Sequence, residues 1–244
     1  MALKNKPMKI PQTIIFAAIV GLITSACSKN SEEEMLAVGE LQLNLNQNTE
    51  NILITGVKTT LNTDDFKVII EDDQGAEVKS YDRFADIPSS VELPVGDYTV
   101  VAKSGDLTDA AFDSPYYEGE ASFSIQSGNT TSATVTCTMA NVKVSVVYSD
   151  DITTNYDSYS TAVDNGTATL TFDMNENRSG YFSVATLNVN VSLEKNGTTT
   201  TKTVQIETNA NEHHTLNIKS AENTSASAAN ITVESSVQSL VFND

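Results

Sequence analysis

No tryptophan occurs in the 244 residues, and cysteine occurs only twice and proline five times. Lysine and arginine together number 14 against 32 acidic residues, a net charge of −18. Each shortage closes a route. A chain so poor in cations cannot neutralise a phosphate backbone, which excludes nucleic acid as a partner. Its acidity also opposes adsorption onto anionic lipid. Without tryptophan, a flat aromatic platform for sugar rings lacks its largest contributor. Catalytic signatures are missing too: there is no Gly-x-Ser-x-Gly elbow, no His-x-x-x-His pair and no phosphate-cradling glycine loop. No enzyme activity, metal or cofactor is therefore expected, although carboxylates brought together only by folding would leave no trace in the sequence.

What is present begins at the N-terminus. Lys4, Lys6 and Lys9 precede an apolar run over 14–23, and Ser25 and Ala26 stand just before Cys27. This is the layout of a secretory signal. The run is far shorter than the about 20 apolar residues that a membrane-crossing helix needs. Thr24-Ser25-Ala26-Cys27 resembles a bacterial lipobox, with Thr24 where leucine is usual, and so implies acylation of the Cys27 thiol. An ordinary signal with an incidental cysteine is the alternative. Acyl chains at about 0.8 kcal/mol per buried methylene make a durable anchor, and this lipid is the membrane contact the sequence implies.

Residues 1–26 are thus expected to be a signal peptide and 27–38 a lipidated tether. Their polar stretch runs into Glu32-Glu33-Glu34, which resembles the acidic export signal of Bacteroidetes-type lipoproteins carried to the outer face of the outer membrane. A plain solvated linker has the same composition. Removing 1–26 takes away three lysines and no acid, so the net charge moves from −18 to −21.

The remaining 218 of 244 residues suit two sandwiches of about 100 residues each. Apolar residues alternate at Leu41, Leu43, Leu45, at Tyr98, Val100, Ala102 and at Ala121, Phe123, Ile125. Period-2 alternation marks strands with one buried face. Turn chemistry separates them at Gln74-Gly75, Val95-Gly96, Ser104-Gly105 and Ser127-Gly128-Asn129. Asn165-Gly166 and Asn196-Gly197 read as two-residue hairpins, because Asn-Gly accepts positive φ. Only Leu107, Ala110 and Ala111 suggest a helical turn or two. The expected fold is all-β, with two tandem β-sandwich domains at 39–139 and 140–244. A fresh alternating run starts at Val142 without a Pro- or Gly-rich linker, so the domains are expected to abut.

Few side chains suggest chemistry. Once Cys27 is acylated, Cys137 is the remaining thiol, and its place in the alternation Ala133, Val135, Cys137, Met139 makes it a buried small hydrophobe rather than a nucleophile. His213 and His214 are adjacent, so on a strand they point to opposite faces and cannot readily share a metal; a polar turn is their expected home. Asp64-Asp65, Asp72-Asp73 and Asp150-Asp151 stand at strand ends, where aspartate caps turns, and none follows the spaced calcium-loop pattern. Tyr116 and Tyr117 form an aromatic pair beside a Pro and a Gly, and an exposed pair would stack on sugar rings, which makes them the candidate ligand-binding residues.

Three passages carry a resemblance: 93–100 (Leu-Pro-Val-Gly-Asp-Tyr-Thr-Val), 114–119 (Ser-Pro-Tyr-Tyr-Glu-Gly) and 140–146 (Ala-Asn-Val-Lys-Val-Ser-Val), with Gly180-Tyr181-Phe182 following the same pattern later. They resemble the fimbrillin-like lipoproteins of Bacteroidetes, including an uncharacterised family of surface lipoproteins related to minor fimbrial subunits. The resemblance implies two transthyretin-like or immunoglobulin-like sandwiches, lipid export, no catalysis, and adhesion or fimbrial assembly with other subunits through added strands. A host or glycan ligand is a further implied partner, and glycan capture for nutrition is the alternative function. Major fimbrillins are activated by cleavage after an arginine near the first strands. Here the arginines are Arg83 and Arg178, and a cut at Arg83 would fall inside the first domain. The chain therefore looks more like an anchor, tip or stand-alone subunit than a shaft subunit.

Overall fold

The computed structural model describes residues 36–47, 62–221 and 230–239. Cys27, the expected signal peptide at 1–26 and most of the expected tether at 27–38 lie outside them. The fold is all-β and built from more than one sandwich, as the alternation predicts.

The first half contains β1 (Val38–Gln47), β2 (Lys67–Asp72), β3 (Glu77–Tyr81), β4 (Val91–Pro94), β5 (Gly96–Lys103), β6 (Ala110–Phe112), β7 (Tyr117–Ile125) and β8 (Thr130–Met139). All but β6 form one sheet in the order β3-β2-β5-β7-β8-β1-β4. That sheet turns over between β7 and β8, whose ladder is confined to Tyr117↔Met139 and Glu118↔Thr138. Beyond this point β7 stays with β5, while β8 pairs in parallel with β1. Leu41, Val68, Val100, Ile125, Val135 and Met139 meet between the layers, each at most 2% exposed.

Close approach at the turnover depends on Gly119. A Cβ there would collide with the Thr136 carbonyl of the facing strand. The expected turns at Gly75 and Gly128 are present, with φ of 77° and 71°. Asp72 fastens the first of them, its carboxylate accepting from Gln74 N and Ala76 N at 2.9 Å each. Val95-Gly96 is not a hairpin: β4 pairs with β1 and β5 with β2 and β7, so the chain crosses between layers there.

The second half adds β9 (Val142–Tyr148), α1 (Asp150–Asn155), β10 (Ser158–Asp164), β11 (Thr169–Asp173), β12 (Gly180–Phe182), β13 (Leu187–Lys195), β14 (Thr198–Ile206), β15 (Glu212–Ala221) and β16 (Asn230–Ser239). One sheet runs β11-β10-β13-β14 and the other β16-β15-β9-β12-β6. A second core fills the space between them, with Val144, Val163, Phe172, Phe182, Val191 and Leu216 each at most 1% exposed.

Ala110 and Ala111 form a strand, not the expected helical turn. Their segment leaves the first half and pairs antiparallel with β12 of the second. Sheet pairing overrides alanine's helix preference because the segment finds a ladder partner and a place for Phe112 against the second core. Backbone bonds Ser183 N to Asp109 O (2.9 Å) and Asp113 N to Ser179 O (3.0 Å) close both ends. Tyr181 makes the reverse crossing and packs on the first core.

Asn196-Gly197 is the two-residue hairpin expected of it, with φ of 51° and 75° between the paired Lys195 and Thr198. Asn165-Gly166 departs from expectation. Asp164 pairs with Thr169, which makes a four-residue loop, and only Gly166 has positive φ. Asn165 is diverted to tertiary work: its amide donates to Asp109 O at 2.7 Å and to Ser183 Oγ at 2.8 Å.

The register also defines the outer face of the four-stranded sheet. Thr171, Ala162, Asn190 and Thr203 form one row across the strands, and Asp173, Ser160, Ser192 and Thr201 form the next. On the other side of the central row lie Thr169, Asp164, Asn188 and Gln205. Val163, Val189, Val191 and Leu193 alternate with these and point into the core.

Candidate functional site

Tyr116 and Tyr117 do not form the exposed pair that sugar stacking requires. They are 7% and 9% exposed. Tyr116 lies just before β7, its N–H donating to the Asn141 side chain at 3.2 Å and its hydroxyl to Glu118 Oε2 at 2.5 Å. Burial, reinforced by Glu118, pushes the phenol well above its ordinary pKa. The Tyr117 N–H donates to Ser104 Oγ at 2.9 Å, and its ring joins the first core. The reason is positional: the pair stands where the arm carrying β6 returns to the first sandwich, which buries both rings. Cys27 lies outside the described residues.

The histidines are corrected too. Both lie on β15 rather than in a turn, and both are buried, at 5% and 1% exposure. They do point to opposite faces. His214 shares its face with Leu216 and Ile218 and has Nε2 3.0 Å from Glu212 Oε2. His213 faces the other way, with Nε2 3.0 Å from Ser145 Oγ, which in turn lies 2.9 Å from Ser179 Oγ. Burial, then the charge of Lys143, lowers the His213 pKa to about 4, so the ring is neutral near pH 7.

Two strands, β9 and β15, thus assemble a Ser–His contact from residues 68 apart in the chain, which no sequence motif could reveal. At 5% exposure its imidazole has no room for a substrate carbonyl beside it, and the contact acts as a satisfied polar bridge. A cleft of about 360 Å³ lies elsewhere, on the first sandwich, lined by Asp73, Asp97, Thr99, Ser122 and Ser124 together with Tyr98 and Phe123.

Cys137 is fully buried, 3.6 Å from the Ala102 carbonyl, and burial raises its pKa to about 11. A thiol so far from ionising is a packing group. The paired acids serve local structure. Asp65 holds Arg83 at 2.7 Å, and Asp151 accepts from Ser220 N at 2.7 Å. Among the described residues no group of three or more His, Cys, Asp or Glu is placed to hold a metal ion. Among them, too, no helix is long and apolar enough to cross a membrane.

The sheet edges offer more. In the second half the edges are β11, β14, β16 and β6. β16 pairs with β15 over ten residues and, among the described residues, has no strand on its other side. From Glu234 to Gln238 it is exposed at every position, and it contains neither lysine nor proline. Edge strands commonly carry such residues, or a bulge, to prevent pairing with another chain. β16 has an unshifted ladder and only Glu234 as a charge.

A family model described as a domain of unknown function, DUF4493, matches residues 37–243. The chain belongs to the DUF4493 family. The match spans both halves of this DUF4493 protein, from the first residues before β1 to beyond β16.

No curated protein matches it in sequence. Among solved structures it is similar to a fimbrial assembly protein from Parabacteroides distasonis, at 11% identity and TM-score 0.48, over 82% of this chain and 98% of that one. It is also similar to a candidate cell adhesion protein from Bacteroides eggerthii, at 10% identity and TM-score 0.45, over 82% and 95%. A candidate polysaccharide-binding protein from Bacteroides thetaiotaomicron is similar at 10% identity and TM-score 0.44, over 82% and 98%.

Proposed function

We propose that this DUF4493 protein is a fimbrillin-like lipoprotein, anchored in the outer membrane through Cys27, exposed at the cell surface, and active in adhesion or in fimbrial assembly and anchoring. The observation that carries the reading is β16, a ten-residue edge strand without lysine, proline or a bulge. Such an edge offers a row of unpaired N–H and C=O groups to an extended segment of another subunit, with affinity from main-chain bonds and specificity from alternate side chains. The lipobox at 24–27 and the polar tether support surface display. The chain acts by binding, without catalysis or cofactor. The glycan-capture alternative loses its motivating residues, because Tyr116 and Tyr117 are buried.

Electron microscopy of cells with and without the protein, coupled to pull-down of surface subunits, tests the reading. The expected result is loss of appendages or adhesion in the deletion strain, and capture of a fimbrial subunit that Ser236→Lys with Gln238→Lys on β16 abolishes. Normal appendages, normal adhesion and no captured subunit would refute it. Mass spectrometry of the mature N-terminus should show an acylated Cys27; an unmodified one would remove the anchor.

A further inference from the structure

The end of the first sandwich where the chain arrives from the expected tether is apolar. Leu36, Val38 and Val95 are 71%, 37% and 48% exposed there, beside a half-buried Pro94. They come from adjoining rungs of one ladder: Val38 pairs with Pro94, and Val95 N donates to Ala37 O at 2.8 Å. Val38 and Pro94 stand on the outward face of the sheet, while Val95 continues the inward set of Val91 and Leu93 past the end of the core. Single exposed apolar side chains are ordinary, whereas a contiguous set marks a contact.

We propose that this rim docks on the surface of the bilayer that holds the anchor, among zwitterionic lipid headgroups. The inference rests on the reading that Cys27 is acylated. Leu36 follows Cys27 by nine residues, a length that spans at most about 30 Å when fully extended. Whatever direction the rest of the molecule takes, this end stays within that reach of the lipid. Tethering also makes docking intramolecular, so a patch too small to hold a free protein on a membrane becomes sufficient.

The rim is already in place before it docks. The turn at 126–129 braces it, with Gly128 N donating to Val38 O at 2.8 Å and Glu40 N to Asn129 O at 2.9 Å. Little backbone freedom remains to be lost on contact.

Charge selects among lipids. Residues 36–40, 91–97 and 126–129 contain neither lysine nor arginine, and they include the carboxylates Glu40, Glu92 and Asp97. Glu40 and Glu92 are paired on the ladder just inside Val38 and Pro94. These groups, and the −18 of the whole chain, repel an anionic surface, which leaves apolar contact with a zwitterionic one.

The lack of tryptophan allows a direct test, because one introduced indole is the only such reporter. The full chain carrying Leu36→Trp is expressed, extracted from membranes with its lipid, and reconstituted into phosphatidylcholine vesicles with brominated acyl chains. Its emission should shift to shorter wavelength and be quenched, while Met174→Trp in the second sandwich should give unquenched emission. Adding Val38→Glu and Val95→Glu to Leu36→Trp should abolish the quenching while the protein still floats with the vesicles and keeps its thermal midpoint; Val95→Ser serves if that variant misfolds. Equal quenching at the two reporter positions, quenching that survives the substitutions, or quenching that grows as phosphatidylglycerol replaces phosphatidylcholine would overturn the proposal. An acylated, floating protein with no quenching refutes the contact alone, whereas an unacylated protein that does not float removes the anchor and the contact together.

Discussion

The Arg178 guanidinium lies 4.5 Å above the Phe112 ring, which also packs edge-on against Phe172 at 5.2 Å. Phe112 comes from the first half of the chain, while Arg178 and Phe172 come from the second. The three-residue strand β6 is therefore held by its side chain as well as by its ladder. Phe112→Ala should destabilise the protein by about 2 kcal/mol, below the ~3–5 kcal/mol of a fully buried phenylalanine because the ring is only partly covered. Urea unfolding measures this, and a change under about 0.5 kcal/mol would show that the arm is not structural.

The same crossing bears on how the chain divides. A fragment of residues 140–244 lacks β6 and leaves β12 with an open edge, whereas 104–244 retains the arm. The longer fragment should unfold cooperatively at a higher temperature, and the shorter one should be partly unfolded or aggregation-prone. Circular dichroism melts of the two fragments check this. Coincident melts would mean that the second sandwich folds without its borrowed strand.

His213 should make stability depend on pH. Burial lowers its folded pKa from 6.5 to about 4, so between those values the unfolded chain binds the extra proton. Stability is then full above about pH 6.5 and falls as the pH drops towards 4, by about 3 kcal/mol at about 1.36 kcal/mol per pKa unit. His213→Gln, which retains a polar partner for Ser145, should flatten that slope. Urea midpoints at pH 7.5, 6, 5 and 4.5 compare the two proteins. An unchanged slope in the variant would assign the effect to other groups.

Two glycines should respond differently to alanine. At Gly119 a Cβ meets the backbone of Thr136, which cannot retreat without opening the turnover between β7 and β8. Gly119→Ala should cost about 3 kcal/mol, the upper end of the ~1–3 kcal/mol typical of overpacking. At Gly197 there is open space and only a φ of 75°, so Gly197→Ala should cost about 1 kcal/mol. Chemical denaturation of both variants should preserve that order, and its reversal would contradict the packing at the turnover.

Much of this architecture was legible in the chain. Alternation at Tyr98, Val100, Ala102 and around Cys137 announced buried strand faces because side-chain direction in a strand has period two. Asn196-Gly197 announced its hairpin because backbone sterics admit few other residues at two consecutive positive φ angles. Where the residues had more than one use, the reading failed. Asn165 had the same turn chemistry, but its amide is spent on Asp109 and Ser183, and the loop lengthened accordingly. Ala110 and Ala111 favoured a helix locally and were drawn into a ladder by β12.

The amino-acid order by itself determined the all-β class, the acidity and most turns, since these follow from local sterics, composition and charge. Tertiary packing alone decided that Tyr116 and Tyr117 are buried, that Ser145 meets His213, that β6 crosses between halves and that β16 is an edge strand among the described residues. Those outcomes depend on which distant strands become neighbours, a choice made by the summed burial of two cores and invisible to any short window of residues.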